Sequence, residues 1–226
     1  MRAVSQFLMC AVSALAAVGF ALSTVEAQSG QTAEAMATRL QQHYREINDF
    51  EADFVQTLRT STLRGTGSRG QGHVFVKKPG RMKWVYEKPE RQEMLWDGQR
   101  LILFYPDSNE ATITDVSAED QSSASLLFLA GKGDLLRDFI PMTAESTVAG
   151  ALAVRLTPRK PEPDFDYFIV TFDEKTVKLR KLVTRNNLGD ETVTDFSNLK
   201  ENAKIPDRTF IWNPPRGVRI NGGRGQ

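Results

Sequence analysis

Two hydrophobic periods divide this chain. Between Gln31 and Ile47 the apolar residues Met36, Leu40, Tyr44 and Ile47 recur at helical spacing, and Ala33 and Ala37 widen the stripe. Thr32 can cap the start of such a helix, and Glu34 sits favourably in its first turn. Asn48-Asp49 ends it. The period then drops to two: Phe50, Ala52 and Phe54 share one face, and Glu51 and Asp53 point the other way.

Period two persists through most of the remaining chain. Gly72 to Gly98 reads as three short strands and two turns, with Val74 and Val76 on one side of the first strand. Met82, Trp84 and Tyr86 share one side of the next. Lys77–Gly80 breaks the chain between them, Lys88-Pro89 ends the second strand, and Asp97-Gly98 is a hairpin signal. Further strands are expected at Leu101–Tyr105, Ala111–Val116, Ala151–Leu156, Tyr167–Phe172, Lys178–Thr184 and Glu191–Phe196. No helices alternate with them, which argues for an antiparallel sheet curled into a barrel or half-barrel. One segment interrupts the pattern. Ser122–Phe139 carries four consecutive apolar residues, Leu126, Leu127, Phe128 and Leu129, and reads as short helical turns over the mouth of the sheet. The tail from Asn221 to Gln226 reads as disordered.

The first residues change the picture of where the chain works. Arg2, an uncharged apolar run from Phe7 to Leu22, and Val25-Glu26-Ala27 form a secretory signal with cleavage after Ala27. Residues 28–226 are then one exported domain. Cys10 is the only cysteine and lies inside the signal without a lipobox, so the mature chain has no thiol. The net charge of +1 comes from mixed signs, with no basic stripe for nucleic acid. Gly65, Gly67 and Gly70 fit G-x-G-x-x-G formally but precede a strand, and read as a flexible hairpin loop. His43 and His73 have no neighbours at metal-ligand spacing, and Glu51/Asp53 reads as a solvated pair. Nothing assembles a nucleophile, base and oxyanion stabiliser, so no metal, cofactor or turnover is expected.

A face this rich in Met and aromatic side chains needs an apolar cover, either protein or ligand. Five blocks in order carry a resemblance: NDFEADFVQ (Asn48–Gln56), GHVFVKKPGRMKWVYEKP (Gly72–Pro89), DGQRLILFYP (Asp97–Pro106), LLFLAG (Leu126–Gly131) and TDFSNLKENAKIPDRTFIWNPPRGV (Thr194–Val218). Together they resemble the periplasmic outer-membrane lipoprotein carrier family, LolA. The resemblance implies an α+β fold, an unclosed antiparallel β-barrel (half-barrel) with short helices as a lid over an apolar cavity. It also implies a non-enzymatic periplasmic carrier that works as a monomer. Such a carrier takes acylated lipoproteins from an inner-membrane lipoprotein-releasing ABC transporter to an outer-membrane lipoprotein acceptor.

The expected cavity wall is Leu40, Val74, Val76, Met82, Trp84, Leu101 and Leu103 with Leu126–Leu129. Tyr86 extends it, and Phe50 and Phe54 adjoin it, with packing against the first helix as their expected role. Lys78 stands where the family commonly has an Arg, and by resemblance it is a latch to carbonyls of the lid. Met82 stands where an aromatic is frequent. The alternative is a same-fold protein with other lipid cargo or a role in envelope-stress sensing, for which a second domain would be usual. A hydrolase with an unrecognised site is a third reading, weakened by the missing catalytic constellation.

Overall fold

The computed structural model describes residues 31–61, 66–115, 133–162 and 165–223. The signal segment and the Leu126–Leu129 run lie outside the described residues. Helix α1 spans Ala33–Glu46, and the Thr32 hydroxyl accepts from the Ala35 amide at 3.2 Å as its cap. Its apolar stripe is buried as the spacing predicts, at Ala33, Met36, Ala37, Leu40 and Tyr44.

Among the described residues, twelve strands then form one sheet. They are β1 (Asp49–Arg59), β2 (Thr66–Lys77), β3 (Arg81–Lys88), β4 (Gln92–Trp96), β5 (Arg100–Tyr105) and β6 (Glu110–Asp115), followed by β7 (Phe139–Ala144), β8 (Ala151–Pro158), β9 (Tyr167–Asp173), β10 (Leu179–Arg185), β11 (Glu191–Glu201) and β12 (Arg219–Gly223). The order is β12-β6-β5-β4-β3-β2-β1-β11-β10-β9-β8-β7, so the sheet has two ends and does not close. Every neighbouring pair is antiparallel except β12 with β6. β1 pairs with β2 on one side and β11 on the other, which joins the two halves of the chain.

One face of this sheet and α1 enclose the main core. Phe54, Val74, Val76, Met82, Val154, Leu156, Phe168, Val170 and Phe172 are fully buried in it. Each such side chain contributes about 1.5–3 kcal/mol on leaving water. A short helix, α2 (Leu135–Asp138), packs on α1 and leads into β7. Asp134 caps it by accepting from the amides of Leu136 and Arg137.

A second apolar cluster forms on the opposite face. Leu95 and Ile102 are buried there under Ile205 and Phe210, beside Trp212. The chain reaches this face through a tight bend after β11, where Asn202 and Lys204 take left-handed backbone angles. A 3₁₀ turn, Asp207–Phe210, follows. Asp207 is gripped by Lys77 at 2.6 Å and Arg81 at 3.3 Å, cations that hold its carboxyl below the usual range.

Four expectations need correction. Gly67 and Gly70 belong to β2 and not to a loop. At Gly67 an added Cβ would lie 2.7 Å from the Leu58 carbonyl, so close strand approach explains that glycine. β7 was hidden because Pro141 and the exposed Ile140 and Met142 blur its alternation. Phe139, expected at the end of helical turns, starts that strand. Asn221–Gly223 is part of β12, supported by parallel pairing with β6.

Candidate functional site

Strand register carries two rows of side chains across the inner face. One row is Phe50, Val76, Met82, Trp96, Leu101 and Thr114. The other is Ala52, Val74, Trp84, Met94, Leu103 and Thr112. Burial falls along both. Residues on β1 to β3 are sealed, whereas Met94, Leu101, Leu103, Thr112 and Thr114 are half-buried. Among the described residues, Leu101 and Leu103 belong to neither apolar cluster. The inner wall therefore changes from closed core to half-open apolar surface toward β6. The chain then leaves β6 for the segment that carries Leu126–Leu129.

The floor of the wall is aromatic. Phe54 meets Trp84 edge-on at 4.8 Å and Tyr86 at 4.9 Å, and Phe196 lies 6.2 Å from Trp84. Phe54 thus packs on the sheet's own rings, while Phe50 packs on the helix, with its ring 6.4 Å from Tyr44. Beyond Trp84 the face turns polar in one step. The Tyr86 hydroxyl donates to Gln56 Oε1 at 3.0 Å, and the Gln56 amide donates to Thr194 Oγ1 at 3.2 Å.

Several contacts fasten α1 to its surroundings, among them a bond from the Arg39 guanidinium to the Glu174 carbonyl. The Lys78 ammonium donates to the Tyr44 carbonyl in the last helical turn and stands 4.3 Å from the centre of the Tyr44 ring. A cation at a helix C-terminus is favourable, and its stem can run along the buried Val74–Val76 face. His43 Nε2 meets Glu201 Oε1 at 3.0 Å, Arg45 pairs with Asp134 at 2.8 Å, and Gln41 accepts from the Leu135 amide at 2.7 Å. The seam between Leu40, Ile47 and Phe50 and the strands at Leu179 and Leu199 is almost filled, with a residual apolar void of about 10 Å³. Among the described residues, α1 is the element that Lys78 holds.

Burial pushes the Lys78 amine down to about 8 from its ordinary 10.5. The folded protein therefore releases this proton at a pH where the unfolded chain still holds it. Stability from this group is absent below about pH 8 and grows as pH rises toward 10.5. The neutral amine keeps its N–H donors, so the Tyr44 bond survives. Relative to Lys78→Met, the wild type should gain in denaturation midpoint between pH 8 and 10. A constant difference across that range would show an unperturbed lysine.

Spatial partners that sequence spacing could not reveal include the two histidine–carboxylate pairs, His43–Glu201 and His73–Asp53 at 2.7 Å. Asp53 also accepts from Asn198 at 2.6 Å; that bond and the His73 bond lower its pKa, so it is not a free solvated carboxylate. Among the described residues no three His, Cys, Asp or Glu side chains group as metal ligands. Met94 and Trp96 were also missed, although hairpin parity with Met82 and Trp84 would have placed them on the same face.

An open antiparallel sheet whose apolar inner face shares one core with a helix defines an α+β half-barrel. Its sequence places it more narrowly. The family model for "Outer membrane lipoprotein carrier protein LolA" matches residues 45–213, and the chain belongs to that family. An outer-membrane lipoprotein carrier protein from Nitrosospira multiformis is 31% identical over 170 residues, covering 75% of this chain and 80% of that one. Another from Pseudomonas putida is 27% identical over 215 residues, covering 94% and 99%. In shape, an uncharacterized conserved protein from Thermus thermophilus matches with a TM-score of 0.53 at 10% identity, over 85% of this chain and all of that one, which shows the shared fold.

Proposed function

We propose that this protein is a non-enzymatic periplasmic carrier that shelters the acyl chains of lipoproteins. It would load from an inner-membrane ABC transporter and unload to an outer-membrane acceptor, as a monomer. The observation that carries this reading is the graded inner wall, buried at Trp84 in one cluster with the α1 stripe and half-open at Leu101 and Leu103. Family membership supports it. The physical need is plain. Burying a methylene is worth about 0.8 kcal/mol, so a sixteen-carbon chain exposed to water represents about 12 kcal/mol. A carrier must offset that without holding its cargo irreversibly.

A wall already filled by α1 meets both demands. Acyl chains enter at the half-open end and displace the helix face of Met36, Leu40 and Tyr44. On release that face returns, so the empty carrier never exposes the whole wall. Lys78 acts as the latch, through the Tyr44 carbonyl. Lacking the planar fork of an arginine, it holds at a single point. The Leu126–Leu129 run is assigned to the same cargo surface on its sequence alone.

The test uses the mature chain and an environment-sensitive acyl fluorophore. Saturable binding, competed by a triacylated lipoprotein and weakened about tenfold by Leu103→Asp, is expected. Lys78→Leu should bind the probe at least as well but pass lipoprotein to the acceptor more slowly, because the returning helix no longer helps to expel it. No saturable binding would remove the carrier reading. Transfer by Lys78→Leu at the parental rate would remove the latch.

A further inference from the structure

The floor of the wall holds one polar atom that its surroundings leave unanswered. Trp84 is 3% exposed, and its indole Nε1 is buried with no hydrogen-bond partner among the described residues. Val74 and Met94 flank it across the strands, and Phe54 and Phe196 pack on its ring. None of these side chains offers a good acceptor. One step along the same face, the Tyr86 hydroxyl and the Gln56 amide are both paired. Leaving a buried donor unpaired forfeits its bonds to water, which is why buried indole N–H groups normally find a partner. A fully apolar residue of similar size would fill this place without that penalty.

We propose that Trp84 is the residue that recognises the acyl carbonyl of the cargo. This rests on the carrier reading and names what the wall reads within its ligand. An acyl chain is apolar along its length, and its linkage to the rest of the molecule carries a carbonyl acceptor, whether ester or amide. In the closed protein the indole donor is unsatisfied. When α1 yields and chains slide along the rows, a carbonyl reaching Trp84 gains a donor in dry surroundings. The same contact relieves a penalty that the empty form carries, so it favours the loaded state. It also sets depth, because the carbonyl stops at the donor while the methylenes run on past Val74 and Ala52. A plain hydrocarbon or an ether-linked chain would fill the wall without this stop.

The experiment compares three probes of equal chain length: a dialkyl ether, a diacyl ester and an N-acyl amide. Wild-type protein should bind the ester and the amide about five- to tenfold more tightly than the ether. Trp84→Phe should bind all three alike, with ether affinity near that of wild type. Preference for only one of the two carbonyl linkages would identify which acyl source the donor serves. A readout that needs no variant guards against loss of fold: the Trp84 indole proton should move downfield in the NMR spectrum with ester or amide and stay in place with ether. Equal binding of all probes by wild type, or a carbonyl preference that persists in Trp84→Phe, overturns the assignment while leaving the carrier reading intact. Failure of every probe to saturate would overturn both.

Discussion

Gly72→Ala is expected to destabilise the protein by about 3 kcal/mol or more, through a single methyl group. Gly72 lies on β2 opposite Phe54 on one side and Tyr86 on the other. A Cβ placed there would sit 1.8 Å from the Val85 carbonyl oxygen and 3.0 Å from Tyr86 Cα. Those atoms are backbone of the neighbouring strand and cannot rotate away. The β2–β3 register also shifts between Gln71 and Gly72, so the two strands already depart from a regular ladder here. Accommodating the methyl means prying β3 off β2 beneath Trp84 and Tyr86. Gly70→Ala is the internal comparison. Its Cβ would meet the Tyr86 ring at 3.1 Å, a side chain that can give way, so a loss of about 1 kcal/mol or less is expected. Urea midpoints of the two variants check this. Equal midpoints would mean that β3 moves freely at this point.

Asp49→Ala should cost about 3 kcal/mol and act at a distance, on the face opposite the α1-packed inner wall. Asp49 is 4% exposed, and its carboxylate accepts from the Lys204 amide at 3.1 Å and the Ile205 amide at 3.2 Å. Its own carbonyl accepts from Asn202 at 2.7 Å. The bend at Asn202–Lys204 turns these amides inward, away from water and from any strand partner. Alanine leaves two donors unpaired, each worth about 1–3 kcal/mol. The segment from Ile205 to Trp212 should then loosen and expose Leu95 and Ile102. Hydrogen exchange reads this directly, with faster exchange at Lys204 and Ile205 and little change in α1. Asn at this position keeps one acceptor oxygen and should lose about half as much. Unchanged protection in Asp49→Ala would show that the Lys77 and Arg81 grip on Asp207 suffices to hold the segment.

Much of the fold was legible because local periods and tertiary burial agree. The α1 stripe, the Phe50–Phe54 alternation and the Met82–Tyr86 face were each set by a repeat that only one buried side can satisfy. Turn chemistry was equally local: the Asp97 carboxylate accepts from the Gln99 and Arg100 amides, and Gly98 takes the positive φ that the hairpin requires. The strands that escaped notice lacked such a repeat. β7 carries Pro141 within an edge strand, where a missing donor is tolerated. β12 is Gly-rich and borrows its order from β6.

The inner-face residues of each element could be read from the chain alone, because side-chain parity depends only on neighbours in sequence. The family likeness that points to a carrier came from the same source. Which of those residues are sealed and which stay half-open depends on the folded molecule. Val76 and Leu101 stand in one row and are both apolar, yet the first lies deep in the sheet and the second near its β12 end. That difference comes from tertiary packing, which buries Val76 in one apolar cluster with the α1 stripe. Partners distant in sequence likewise meet only in three dimensions. Lys78 finds the Tyr44 carbonyl, Asp49 finds the amides of Lys204 and Ile205, and Trp84 finds no acceptor at all among the described residues. Hydrogen bonds are short-ranged and directional, so their pairing exists only once the chain has closed on itself.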